Sequence, residues 1–182
     1  MLKISVHATQ PSHPEDSIMA KPTDHADSQS FLTFKVSGHT YAVSLLQIRE
    51  VRTGAHLTRV AHAPSYVVGV TSLRGEIVPV IDLKERFKLN REKVAGRQDL
   101  VLISELESRK VGIQVDSVLD VISIHSAAIQ TVPRTTMAID IRYLIGMTQL
   151  GEQVVLLIDL QKVLQPEELH AVARVTEEAT FS

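Results

Sequence analysis

The chain has 182 residues, 44% of them hydrophobic, and a net charge of −2 from 19 basic and 21 acidic side chains. This is enough to bury a core in one domain or two small subdomains, and the mixed charge leaves no basic stripe for nucleic acid or an anionic membrane surface. The absence of cysteine excludes disulfides, thiolate metal sites and a cysteine nucleophile, and aromatics at 4% leave Val, Ile and Leu to build a core that favours strands.

Residues 1–30 are rich in Ser, Thr, Asp, His and Pro, with Pro11, Pro14 and Pro22 interrupting any periodicity, and read as a disordered N-terminal tail. No apolar run is long enough for a secretory signal or a membrane span, so the chain reads as cytoplasmic. From Phe31 onward Leu32, Phe34 and Val36 alternate with Thr33 and Lys35. A turn at residues 37–39 leads to Tyr41, Val43 and Leu45, so the folded part opens with a β-hairpin.

An internal repeat organises the rest. Residues 66–84 (YVVGVTSLRGEIVPVIDLK) recur as residues 143–161 (YLIGMTQLGEQVVLLIDLQ), with eight of 19 positions identical: Tyr66/Tyr143, Gly69/Gly146, Thr71/Thr148, Leu73/Leu150, Val78/Val155, Ile81/Ile158, Asp82/Asp159 and Leu83/Leu160. Upstream, residues 41–51 (YAVSLLQIREV) match residues 111–121 (VGIQVDSVLDV) in pattern, with Glu50 opposite Asp120. The predicted domain spans residues 31–175, with units at 31–89 and 99–165 separated by the polar stretch 90–98. A C-terminal helix follows at 166–175, opened by Pro166, and residues 176–182 form a tail. Residues 77–81 and 154–158 are apolar on both faces, as strands of a small closed barrel can be. Pro79 lacks a ladder donor and predicts an edge or a bulge there. Asp82 and Asp159 each stand where a strand gives way to a short helix and suit an N-cap, Asp82 with capping-box spacing to Glu85.

Signals for chemistry are weak. The eight histidines, His7, His13, His25, His39, His56, His62, His125 and His170, show no ligand spacing. The eight glycines form neither a Walker A nor a dinucleotide fingerprint, and no serine sits in a nucleophile elbow. The chain therefore reads as a binding protein without catalytic activity, metal or cofactor. Arg74, directly before Gly75, is held on a tight turn, and Glu50 ends the amphipathic segment of the first unit. They read either as an exposed surface pair or as a rigid recognition loop for a partner.

Residues 41–51, Leu57, Thr58, Arg59 and Val60 followed by Ala63 and Pro64, the segment GVTSLRGEIVPVIDL at 69–83, residues 111–121 and residues 143–160 resemble the CheW family of chemotaxis coupling proteins. The resemblance runs from about residue 31 to residue 169, and the family commonly carries Asn where Ser72 stands. It implies a mostly β fold of two intertwined SH3-like five-stranded barrels with a third apolar core between them. It also implies a non-catalytic adaptor joining the cytoplasmic hairpin tip of methyl-accepting chemotaxis receptors to the regulatory domain of the histidine kinase CheA. Such an adaptor is cytoplasmic, reaches membrane receptor arrays only through its partners and can self-associate in rings. Carried over by position, Ile48, Glu50, Arg74, Val118 and Val121 line a receptor groove between the barrels, Glu50 and Arg74 as a partly buried pair, while Leu57, Thr58, Arg59 and Val60 lie near the kinase contact. Service in a pilus or other non-motility signalling system remains a second reading, and a free-standing barrel binding peptide or RNA a more remote one.

Overall fold

The computed structural model describes residues 27–89, 100–133 and 139–164, with residues 168, 170 and 174. Residues 1–26 of the expected N-terminal tail, the stretch 90–98 and most of the C-terminal helix lie outside the described residues, whereas Ser28, Gln29 and Ser30, expected in the tail, open the first strand by pairing with His125, Ile124 and Ser123. Ten strands follow in order: β1 (Ser28–Val36), β2 (His39–Ser44), β3 (Ile48–Thr53), β4 (Val67–Leu73), β5 (Glu76–Asp82), β6 (Leu100–Leu106), β7 (Arg109–Val115), β8 (Ser117–His125), β9 (Leu144–Leu150) and β10 (Gln153–Ile158). Two single-turn helices, α1 (Leu83–Arg86) and α2 (Leu160–Val163), follow β5 and β10. Each is capped as expected: the Asp82 carboxylate accepts the Lys84 N–H at 2.7 Å and Asp159 that of Gln161 at 3.1 Å.

The strands form two five-stranded sheets, β8-β1-β2-β10-β9 and β3-β6-β7-β5-β4. The two units have exchanged hairpins. The β1–β2 hairpin of the first unit lies between β8 and β10 of the second, and β6–β7 lies between β3 and β5 of the first, each through one parallel ladder. Beyond its edge strand each sheet curls back on itself. After β3 the chain runs to Thr58, which exchanges two 2.8 Å backbone hydrogen bonds with Val70 on β4, the opposite edge. After β8 it runs to Gln130, which does the same with Met147 on β9 at 2.7 and 2.8 Å.

Val70 and Met147 are equivalent in the repeat, and each follows one of the repeated glycines. A Cβ at Gly69 would lie 2.4 Å from the Thr58 carbonyl oxygen, and one at Gly146 would lie 2.7 Å from that of Gln130. Close approach of two backbones at the barrel seam therefore explains this repeated residue.

Three apolar clusters account for the strands that are apolar on both faces. Phe31, Ala42, Ile124, Val155 and Leu157 fill the first barrel, and Leu73, Val78, Val80, Val101 and Ile103 fill the second. The largest cluster lies between the barrels and draws on both: Leu32, Phe34, Tyr41 and Ile158 come from one sheet, Ile81, Leu102 and Ile113 from the other. Along β10, Val155 and Leu157 thus face the barrel interior while Leu156 and Ile158 face the seam. At the β7–β8 crossing between sheets, the buried Asp116 carboxylate accepts the Ser37 N–H at 2.7 Å and pairs with Lys84 at 2.6 Å.

One local expectation is corrected. The strand carrying Pro79, β5, is not an edge, since it lies between β7 and β4, and the irregularity of the β4–β5 ladder falls beside Pro79, between Val67 and Gly69 opposite Ile81 and Val80. Val70, the residue opposite Pro79, spends both backbone groups on Thr58, so Pro79 sits at a non-hydrogen-bonded position towards β4. Its missing donor points towards β7, where the ladder begins only at Val80.

In the seam core the Tyr41 ring is fully buried between Phe34 and Phe87, and its hydroxyl has no hydrogen-bond partner among the described residues. Burial alone drives the phenol pKa far above its ordinary value. A buried, unpaired hydroxyl costs free energy, so Tyr41→Phe is expected to raise stability by about 1 kcal/mol. Denaturant unfolding reads this directly, and a destabilised variant would mean that the hydroxyl is hydrogen-bonded.

Candidate protein-binding site

The edge strands β3 and β8 carry four of the nine site residues read from the sequence, and both are bulged at equivalent places. Ile48 pairs with Ser104 and Glu50 with Ile103, leaving Arg49 as the extra residue in β3. Three steps of β8, from Val118 to Val121, oppose two of β1. Buried hydroxyls hold the backbone at both bulges: Ser104 Oγ donates to the Gln47 carbonyl at 2.8 Å, and Thr33 Oγ1 donates to the Asp120 carbonyl at 2.7 Å and accepts its N–H at 3.0 Å. Bulges of this kind turn a strand edge and re-aim its side chains.

Residues directly paired across strands share a face. Val121 pairs with Leu32, and Val51, its repeat equivalent, pairs with Leu102; both partners belong to the seam core. Ile48 and Val118 are half-buried against the same core, while Val51 and Val121 remain 44% and 54% exposed. The seam therefore presents two matching apolar walls, one from each sheet. Val51 was not among the sequence-derived site residues, although the alignment of residues 41–51 with 111–121 pairs it with Val121. Leu119 on β8 and the almost fully exposed Leu46 before β3 were missed as well.

Glu50 stands on the other face of β3, opposite Ile103 of the barrel interior, and reaches the β4–β5 turn. Arg74 and Gly75 form that turn with φ of 51° and 85°, the left-handed pair that a two-residue hairpin demands. Arg74 Nη2 donates to Glu50 Oε2 at 2.9 Å. The expected pair forms, but only its Glu50 end is partly buried: the Arg74 side chain is 83% exposed and that of Glu50 27%. Its reach explains this, since a turn beyond the strand ends lifts the guanidinium clear of the apolar faces. As a stabilising ion pair it is worth less than about 1 kcal/mol, and most of the guanidinium is open to a partner.

Residues 57–60 run along the outer edge of β4. Thr58 closes the barrel through its backbone, Leu57 is half-buried against the second barrel's interior and Val60 against the seam core, while Arg59 is exposed. The segment continues into a shallow cleft of about 340 Å³ lined by Arg59, Val60, His62, Ala63, Pro64 and Val67. Among the described residues no group of three or more His, Asp or Glu converges as a metal site would require, and no helix is long and apolar enough to cross a membrane.

The fold is thus a pair of hairpin-exchanged barrels with apolar strand edges exposed at their seam. The family model for the CheW-like domain matches residues 30–168, and the chain belongs to that family. It is 36% identical over 148 residues to the chemotaxis protein CheW of Klebsiella aerogenes, covering 81% of this chain and 88% of that protein. It is 31% identical over 148 residues to protein FrzA of Myxococcus xanthus, covering 80% and 91%. The crystal structure of the scaffolding protein TtCheW from Thermoanaerobacter tengcongensis superposes with a TM-score of 0.69 at 26% identity, covering 77% of this chain and 94% of that one.

Proposed function

We propose that this protein is a non-catalytic chemotaxis adaptor that couples methyl-accepting chemotaxis receptors to the regulatory domain of the histidine kinase CheA, in the cytoplasm and at receptor arrays. The observation that carries the reading is the pair of repeat-equivalent edge strands, whose Ile48, Val51, Val118 and Val121 put apolar side chains at the seam between barrels. Such a seam suits the apolar stripe of a helical hairpin, the helix-in-groove mode, and Arg74 beside it supplies a charge that sets register. Leu57, Thr58, Arg59 and Val60 lie outside the edge strands β3 and β8, Leu57 packing on the second barrel's interior and Val60 on the seam core, so this proposed kinase contact uses residues other than those of the receptor site. The similarity to proteins named for chemotaxis and scaffolding supports the same reading.

An adaptor of this kind raises output by effective concentration and not by chemistry. Kinase autophosphorylation should rise only when receptor, kinase and this protein are all present, and each should fail to raise it when either of the other two is omitted. Full activation of the kinase by this protein without receptor would contradict the proposal.

A further inference from the structure

Five of the chain's seven aromatic side chains, Phe34, Tyr41, Tyr66, Phe87 and Tyr143, gather at the seam between the barrels. Phe34, Tyr41, Phe87 and Tyr143 form a continuous run with ring centres 6.0, 5.9 and 5.7 Å apart. The run ends on a cation. The guanidinium carbon of Arg86 lies 5.2 Å from the centre of the Tyr143 ring and 5.1 Å from that of Tyr66. Arg86 Nε donates to the Val163 carbonyl at 2.7 Å and Nη2 to the Glu168 carboxylate at 2.7 Å, with the side chain only 14% exposed.

Tyr66 and Tyr143 are equivalent in the repeat, and so are their surroundings. The Tyr66 carbonyl accepts the N–H of Asp82 at 2.8 Å and the Tyr143 carbonyl that of Asp159 at 2.9 Å, so each tyrosine is fixed to the strand-to-helix junction of its own unit. The place of Arg86 in the second unit is taken by Val163, the residue whose carbonyl Arg86 binds. One guanidinium therefore serves both units from between them.

Apolar packing in the seam is non-directional and specifies spacing better than angle. A planar guanidinium in contact with two rings, with two hydrogen bonds at its edge, is directional. Each barrel has its own interior cluster, in which Arg86 takes no part.

We propose that Arg86 is a positioning residue that fixes the two barrels relative to one another, and so sets the spacing of β3 and β8 at the seam. Its consequence for receptor binding rests on the function proposed above, but its effect on barrel geometry does not. The test places spin labels at the exposed, repeat-equivalent positions Thr53 on β3 and Ser123 on β8 of the full chain and measures their distance distribution. Arg86→Met, which keeps an apolar stem and loses the cation, should shift or broaden the distribution, and Arg86→Lys should restore part of the wild-type distribution. In parallel, affinity for a receptor hairpin should fall on the order of tenfold with Arg86→Met, while affinity for the kinase regulatory domain stays unchanged. A wild-type distribution in Arg86→Met overturns the proposal. A broadened distribution with unchanged receptor affinity leaves Arg86 in its positioning role and contradicts the seam as receptor site. Should Arg86→Met fail to fold, Tyr143→Leu, which removes one face of the contact and leaves the hydrogen bonds of Arg86, is read by the same distances and the same criteria.

Discussion

Replacing Gly146 or Gly69 by alanine is expected to destabilise the protein by about 3 kcal/mol, the upper range for overpacking a tight site. In both cases the added methyl meets backbone: 2.4 Å from the Thr58 carbonyl oxygen at Gly69, and 2.7 Å from the Gln130 carbonyl oxygen at Gly146, where Ile129 Cγ2 at 2.6 Å adds a second clash. Relief requires breaking the bridges Thr58–Val70 or Gln130–Met147, the contacts that close the two barrels. For a domain of this size the loss corresponds to about 6–12 °C in melting temperature. Gly151→Ala is the control. Gly151 has φ of 59° with nothing within 4 Å of its missing Cβ, so that variant bears only the left-handed backbone penalty of about 1 kcal/mol. Equal melting temperatures for all three variants would show that the close approach at the seams is not what selects glycine. The two seam variants should also differ from each other. Gly69→Ala displaces Thr58, inside the proposed kinase contact, and should weaken kinase-domain binding, whereas Gly146→Ala should not.

Arg74→Glu is expected to leave the fold intact and to weaken receptor binding by about 30-fold or more, the loss typical of an arginine at the centre of an interface. Stability should change by less than about 1 kcal/mol, because the pair with Glu50 is open to solvent. The positive φ at Arg74 matters here: with the backbone fixed in a two-residue turn, the guanidinium is presented at low entropic cost. Kinase-domain binding should be unaffected. The charge swap, Glu50→Arg with Arg74→Glu, separates two roles for the arginine. With Arg74 83% exposed and most of its charge open to a partner, the swap should recover little receptor affinity. A double-mutant cycle measures that coupling. Wild-type receptor affinity in Arg74→Glu would remove Arg74 from the site.

The repeat, the strands and both aspartate caps were legible in the sequence because each depends on local pattern: period-two alternation, a turn residue, a carboxylate directly before a helix's first turn. The exchange of hairpins was not written in that pattern. A hairpin inserted between its own unit's strands or between those of the other buries the same residues, so only the family resemblance carried the intertwining. Pro79 misled for a related reason, since one missing N–H excludes pairing on one side only, and the sequence does not say which side is paired. The Glu50–Arg74 contact was expected, but its exposure depends on how far the turn projects beyond the sheet. Val51 was readable from its alignment with Val121. Arg86 left a fainter trace, a cation between the buried Leu83 and Phe87 where the second unit carries Val163, and the two tyrosines it joins were already visible as a repeated pair.

The most direct measurement mixes the full chain with a receptor cytoplasmic hairpin and with the kinase regulatory domain, first separately and then together, and follows complex formation by calorimetry or analytical ultracentrifugation. The proposed receptor contact on β3 and β8 and the proposed kinase contact at residues 57–60 use different residues, so each partner should bind alone and neither should displace the other, giving a ternary complex. Displacement of one partner by the other, or failure of the receptor hairpin to bind at all, would contradict an adaptor that joins the two through separate faces.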